Sequence, residues 1–283
     1  MNKRTARKSL IRRVARNRAA VAGSAVLVLV LLGALLAPVV APFDPGAQEL
    51  DSGLSGPSRS HWLGQDRLGR DQLSRLVYGA RISVAVGLGT VSLSLLIGLL
   101  VGSASGFLGG KVDHLFMGLA DILLAFPGIL LAIAITSVLG PSLRNVLIAL
   151  SALGWVGYAR LIRGQILSVR EMEFVQSATA VGIPPARLLL VHILPNAIAP
   201  VIVEATFGIA RAIVAEAGLS FLGLGVQPPT PSWGAMINEG RHFLFVAPHL
   251  TTVPGLAIMT TVMAFNFLGD GLRDAMDVRE GIP

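Results

Sequence analysis

Long apolar runs with very few charges dominate the chain. Six of these runs fit the length needed to cross about 30 Å of hydrocarbon as helices. They cover residues 20–40, 82–110, 114–140, 145–159, 196–225 and 243–269. None shows the alternation of a barrel strand, and in lipid each segment must satisfy its own backbone amides. The pattern therefore predicts an all-α, polytopic membrane protein with six transmembrane helices.

Composition agrees with a membrane location. Hydrophobic residues make up 53% of the chain and charged residues 14%, and the mean hydropathy is +0.71, values that exclude an ordinary water-soluble domain. The chain has no cysteine, which excludes disulfide and thiol chemistry. We interpret the net charge of +7 as a topological signal and an attraction to membrane lipid, not to nucleic acid, because no nucleic-acid-binding motif accompanies it.

Basic residues at the start of the chain predict its orientation. Lysines and arginines crowd residues 3–18 with no acid among them. The run at 20–40 is longer than the apolar core of a signal peptide, about 7 to 15 residues, so we interpret it as a retained anchor and not a cleaved signal. With the N-terminus inside, most of the 23 lysines and arginines lie on the inner side, which predicts that both termini are cytoplasmic.

The polar segments divide the chain into three predicted parts. Residues 1–41 hold the basic arm and the first transmembrane helix, and residues 42–81 form an extracytoplasmic segment. In that segment, apolar positions from Leu68 to Val77 recur at helical spacing with arginines between them. They predict an interfacial amphipathic helix, with a solvated loop as the alternative. Residues 82–283 form a five-helix core.

Glycine and proline predict the shape of two helices. Gly98, Gly102, Gly106 and Gly110 recur every four residues, which places a small-residue face along the second run that another helix can approach closely. Pro127 lies in the middle of the third run. Because proline lacks a backbone N–H, we expect a kink at this position.

A polar loop, residues 164–196, separates the fourth and fifth runs on the predicted cytoplasmic side. Its pattern predicts a short helix over 173–181, a stop at Gly182, a second helix from 184–185, and the start of the next span at Pro195. Two short helices with few charges would expose an apolar surface that a partner protein should cover. We favour this docking interpretation over the alternative of a plain connector.

Four charged residues fall inside the apolar runs: Asp121, Glu204, Arg211 and Glu216. An unpaired charge there costs several kcal/mol. Glu204 and Arg211 lie on one helix face about 10 Å apart along the axis, so a direct bond between them needs both side chains extended. Partners on other helices or on another subunit are the alternative. Structural pairing, a solvated translocation path and a proton relay are the competing interpretations. For Glu216 we hypothesise a hydrogen bond to a neighbouring helix that steadies an outer gate.

Motifs for catalysis are missing from the sequence. It has no glycine-rich phosphate loop and no His-Glu-x-x-His, and its five histidines are scattered singly. We therefore expect no catalytic residues, no metal site and no enzymatic activity in this chain.

The loop at 164–196 resembles a known docking motif. The spacing of Ala178, Gly182, Leu194 and Pro195 is similar to a pattern in the membrane subunits of ATP-binding-cassette (ABC) importers. His192 replaces the isoleucine of that pattern. The resemblance identifies the segment as a cytoplasmic coupling-helix loop.

The resemblance extends over nearly the whole chain. Residues 61–83, 121–127, 216–234 and 266–277 are similar to the second, or C-type, permease of dipeptide, oligopeptide and nickel ABC importers, and the match at 216–234 is the most specific. Val278 stands where that family commonly has proline.

This resemblance implies a permease subunit in the inner or plasma membrane of a prokaryote. The partners that it implies are a homologous B-type permease, one or two ATPase subunits that bind ATP and Mg²⁺ themselves, and an extracytoplasmic solute-binding protein. Short peptides are the implied solute, with nickel or another small solute as an alternative. Apart from the resemblance, an ion-coupled secondary carrier that uses Asp121, Glu204 and Glu216 is the alternative from another class of function. The implied ATPase-coupling residues are Glu173, Phe174, Ala178, Ala180, Val181, Gly182, Arg187, Leu194 and Pro195.

Overall fold

A computed structural model describes residues 12–276 of the chain. The first residues of the predicted basic arm and the C-terminal end from Asp277, including Val278, lie outside this range. The α-helices are α1 (Arg18–Leu35), α2 (Ala37–Val40), α3 (Gln72–Leu108), α4 (Gly110–Leu124), α5 (Gly128–Leu139), α6 (Leu143–Arg170), α7 (Glu173–Ala180), α8 (Pro185–Arg187), α9 (Leu194–Ala197), α10 (Ala199–Phe221), α11 (Trp233–Gly240) and α12 (His249–Met276). A π-helical turn, Leu188–Ile193, joins α8 to α9.

The helices confirm the all-α membrane fold. Four of them, α1, α3, α6 and α12, are long and apolar enough to cross a membrane alone. Two more spans arise if each bent pair is counted as one: α4 with α5, which meet at 87°, and Pro185–Ala197 with α10, which meet at 57°. The sharper bend lies at Pro127, the predicted kink, where proline cannot donate the hydrogen bond that would continue the helix.

The glycine face of the second span packs α3 against α6. An added Cβ at Gly102 would lie 2.5 Å from the carbonyl oxygen of Ala159, and one at Gly98 would lie 3.0 Å from the Ala159 nitrogen. Gly106 faces α6 in the same way. Gly110 does not join this contact: it has a φ of +53° at the start of α4. The glycine spacing thus predicted three of the four contacts, and the chain turns before the fourth.

The predicted interfacial helix is not a separate element. Leu68 lies in a loop, and α3 begins at Gln72, where the Asp71 side chain accepts a hydrogen bond from the backbone N–H of Ser74. Asp66 accepts hydrogen bonds from the backbone N–H groups of Leu68 and Arg70, a local turn that competes with a helix. The helix then runs without a break through the predicted boundary at residue 81.

Charged side chains that look solvent-facing in the sequence form a buried network. Arg70 donates hydrogen bonds of 2.6 Å to both Asp66 and Glu239. Arg75 donates a hydrogen bond of 2.9 Å to Glu239. The Arg75 side chain is only 1% exposed. Two cations balance two anions, which makes burial of the group tolerable. The network fastens the loop before α3 and the start of α3 to α11.

The two ends of the described chain meet at one end of the helix bundle. Asn17 Nδ2 donates to Asp274 Oδ2 over 3.0 Å. The contact is close because α1 packs along α12, where an added Cβ at Gly23 would lie 2.7 Å from the carbonyl oxygen of Ala264. Residues 17 and 274 therefore lie on the same side of the membrane, as an even number of spans requires.

Candidate functional site

The loop between α6 and α10 folds into two short helices around a glycine, as predicted. We call residues 173–195 the two-helix segment. Helix α7 ends at Ala180, and Gly182 follows with a φ of +84°, a conformation that glycine adopts without strain. The backbone N–H groups of Gly182 and Ile183 donate to the carbonyl oxygens of Thr179 and Ala178, which closes the helix end.

One face of the two-helix segment is part of the protein core. Val175, Leu188 and Ile193 are buried in a hydrophobic cluster that includes Ile162 and Ile166 of α6. Ala178 and Leu194, two of the predicted coupling residues, also pack against this cluster. These two residues therefore attach the segment to α6.

The opposite face is apolar and exposed. Val181 is 84% exposed and Phe174 is 43% exposed. The other predicted coupling residues are exposed as well: Glu173, Ala180, Gly182, Arg187 and Pro195. An apolar surface of this kind outside the spans is typical of a protein-binding site.

The intramembrane charges form pairs at the surface of the bundle. Arg211 donates to Glu204 within α10, so the extended intrahelical bond that the sequence left open is the one present. Arg160 of α6 donates to Asp121 of α4. The Arg211 side chain is 63% exposed and the Asp121 side chain 66%. Charged groups this exposed on apolar helices must face water or another polypeptide, because lipid would not tolerate them.

Glu216 has a different environment. It is fully buried and accepts hydrogen bonds from Ser83 on α3 over 3.2 Å and from Ser220 on α10 over 2.7 Å. Ser232, just before α11, bonds Ser220 in turn over 3.4 Å. A neighbouring helix thus contacts Glu216 as hypothesised, but the partners in the described part of the chain are hydroxyl groups and not cations.

Two cavities lie along α10. The first, about 290 Å³, is lined by α3, α6 and α10 with the start of α5, and the second, about 400 Å³, lies between α10 and the end of α12. Arg211 lines the first cavity and Glu204 lines the second. The residues that line the first cavity include Thr90, Ser94, Ile129, Leu153, Gly154, Tyr158, Gly208 and Arg211.

Several structural ion pairs and helix caps are not predicted by the sequence. Arg163 of α6 binds both carboxylate oxygens of Asp113 on α4, over 2.5 and 2.6 Å. Arg170 donates to the carbonyl oxygens of Gly106 and Phe107 at the end of α3, which satisfies the open end of that helix. The partners lie about 50 or more positions apart, so no local spacing rule could pair them. No cluster of His, Asp or Glu within residues 12–276 could hold a metal ion.

Comparison with protein families identifies the chain. Residues 94–280 match the model of the binding-protein-dependent transport system inner membrane component. This chain belongs to that family. Residues 6–57 match the N-terminal TM domain of oligopeptide transport permease C, so the predicted C-type permease resemblance is confirmed. As a family member, the chain is a membrane component of a transport system.

Two relatives align along most of their length. The dipeptide transport system permease protein DppC of Alkalihalophilus pseudofirmus is 44% identical over 262 residues, which cover 93% of this chain and 86% of that protein. The glutathione transport system permease protein GsiD of Escherichia coli is 44% identical over 267 residues, which cover 94% of this chain and 88% of that protein.

A solved structure shares the fold at low identity. An inward-facing MetNI methionine ABC transporter chain superposes with a TM-score of 0.58 at 18% identity, over 71% of this chain and 96% of that chain. At this identity the likeness concerns the fold alone. It agrees with the helical bundle described above.

Removing the Glu216 carboxylate tests its structural role. Because Glu216→Ala leaves two buried serine hydroxyls without their acceptor, we expect the folded protein to lose about 1 to 3 kcal/mol. Glu216→Gln keeps the shape and one acceptor oxygen, so the loss should be smaller. Thermal unfolding of the purified protein measures the loss of stability in both Glu216 variants, and Glu171→Ala, at an exposed position, is the control. Unchanged stability of Glu216→Ala combined with an altered solute preference would instead place Glu216 on the solute path.

Proposed function

We propose that this chain is the C-type permease subunit of an ABC importer that moves short peptides, dipeptides or oligopeptides, into the cell. The observation that carries the proposal is 44% identity, over 93% and 94% of the chain, to permeases named for dipeptide and for glutathione, which is itself a tripeptide. The two cavities along α10 each include a charged residue, Arg211 in the first and Glu204 in the second, which suits the passage of a polar solute.

The transport system that we propose has four kinds of subunit. This chain pairs with a homologous B-type permease, and one or two ATPase subunits bind the cytoplasmic side. A solute-binding protein delivers the peptide from outside. The exposed pairs Arg211–Glu204 and Arg160–Asp121 support a second permease, because its helices and a watery path between the two subunits would keep these charges away from lipid.

The two-helix segment transmits the ATPase cycle in this proposal. Its exposed face around Phe174 and Val181 binds the ATPase by apolar contact. Its buried face belongs to the core of α6, and its chain continues through Leu194–Ala197 into α10. A displacement of the segment would therefore move α6 and α10, the two helices that carry Tyr158 and Arg211 to the cavity.

Uptake assays test the peptide function. The complex reconstituted in liposomes with its ATPase subunits and binding protein should accumulate radiolabelled dialanine or glutathione only when ATP is supplied. Uptake that continues after ATP depletion, with the membrane potential maintained, would identify a secondary carrier and contradict the proposal.

A charge placed in the two-helix segment tests coupling. A Cβ at Gly182 meets no atom of the described residues within 4 Å, so an added side chain has open space, and only the positive φ strains it. Gly182→Asp should abolish ATPase stimulation or assembly, because the carboxylate would be desolvated against the ATPase surface. Gly182→Asn is the matched control, since asparagine has the same shape, tolerates a positive φ and carries no charge. Equal activity of the two variants and the wild type would rule out docking at this surface.

Single cysteines test the orientation that we propose. The contact between Asn17 and Asp274 and the basic residues at the chain start support cytoplasmic termini, with residues 42–71 outside. The chain has no cysteine of its own, so Ser58→Cys and Ser177→Cys each provide one exposed thiol. A membrane-impermeant thiol reagent should modify Cys at position 58 only from outside and Cys at position 177 only from the cytoplasm. The reverse labelling would overturn the topology.

A further inference from the structure

Three residues that line the first cavity carry buried hydroxyl groups without a partner in the described chain. Thr90, Ser94 and Tyr158 are 5%, 1% and 5% exposed, and none of their hydroxyl oxygens has a hydrogen-bond partner among residues 12–276. Two threonines elsewhere in the spans behave differently. Thr136 and Thr260 each donate over 2.8 Å to the carbonyl oxygen four residues earlier, which is the usual arrangement for a hydroxyl in an apolar helix.

Two of these hydroxyls pack against glycines that line the same cavity. A Cβ at Gly208 of α10 would overlap the Tyr158 hydroxyl, and a Cβ at Gly154 of α6 would overlap the Ser94 hydroxyl. Both glycines line the same cavity. The hydroxyls therefore occupy space that any larger residue would close.

Arg211 adds a positive charge to the same cavity. Its side chain is 63% exposed and gives one hydrogen bond to Glu204. A guanidinium has five N–H donors, so it can bind a second anion beside that carboxylate. Apolar residues complete the wall: Val91, Ile129, Leu150, Leu153, Ala212 and Ala215.

The arrangement suits a small polar solute. A buried hydroxyl without a partner is destabilising, so a solute that bonds these groups gains binding energy that an apolar molecule cannot. The cavity volume of about 290 Å³ is just below the range for small-molecule sites, about 300 to 1,000 Å³. Polar groups that converge on a mostly apolar wall are also typical of such sites.

We propose that this cavity binds the backbone of the peptide in transit. Arg211 binds the terminal carboxylate, and the hydroxyls of Thr90, Ser94 and Tyr158 bond the amide groups. All short peptides share these groups, so the site accepts many sequences. The proposal rests on the peptide-import function proposed above.

Removal of single hydroxyls tests the site. We expect Tyr158→Phe and Ser94→Ala each to lower the amount of radiolabelled dialanine imported per ATP hydrolysed by about 3- to 10-fold, the value of one hydrogen bond. Arg211→Lys, which keeps the charge but loses the fork that binds a carboxylate, should have a similar effect. Thermal stability should not fall, because the two hydroxyls bond no other group of the described chain.

Thr261→Val is the matched control. Thr261 on α12 is fully buried, and its hydroxyl has no partner within the described residues. It does not line the cavity, so removal of its hydroxyl should leave import per ATP unchanged. Wild-type import by both Tyr158→Phe and Ser94→Ala would overturn the site, as would an equal loss in Thr261→Val. A wild-type complex that imports neither dialanine nor glutathione would refute the peptide function itself. If Tyr158→Phe fails to assemble, Ser94→Ala decides.

Discussion

The close contact between α3 and α6 is the interaction on which the rest of the structure depends. It forms because the glycine face of α3 has no side chains where the backbone of α6 passes at Ala159. Tyr158, next to Ala159, is thereby placed at the cavity, and Ile162 and Ile166 are placed in the core that anchors the two-helix segment. One helix contact thus positions both the candidate solute site and the candidate ATPase-docking surface.

The cost of charge in a low-dielectric environment explains how the polar residues are arranged. Arg70, Arg75 and Asp66 are buried and form a balanced group with the half-buried Glu239, outside the apolar runs. Glu216 is buried singly but surrounded by serine hydroxyls. Arg211–Glu204 and Arg160–Asp121, in contrast, stay exposed on the bundle surface. Only the exposed pairs need a partner subunit or water, and this distinguishes candidate path residues from structural ones.

The break between the two-helix segment and α10 has a mechanical consequence. The chain from Pro185 to Ala197 meets α10 at 57°, and the π-helical turn Leu188–Ile193 lies within it. Both ends of this bent element are fixed, one in the core beside α6 and the other along α3 and α12 through α10. A displacement of the exposed face of the segment would therefore move α10 together with the exposed charged residues on that helix.

The sequence alone determined the family and the all-α membrane fold. It also determined the bend at Pro127 and the two helices around Gly182, because hydropathy, glycine and proline act on the local chain. Only the tertiary structure decided which helix meets the glycine face, that Leu68 lies in a loop, and that Arg75 finds Glu239. It also decided that Glu204 bonds Arg211 and that Thr90, Ser94 and Tyr158 share one cavity. These outcomes depend on how helices from distant parts of the chain pack, and no local pattern encodes that packing.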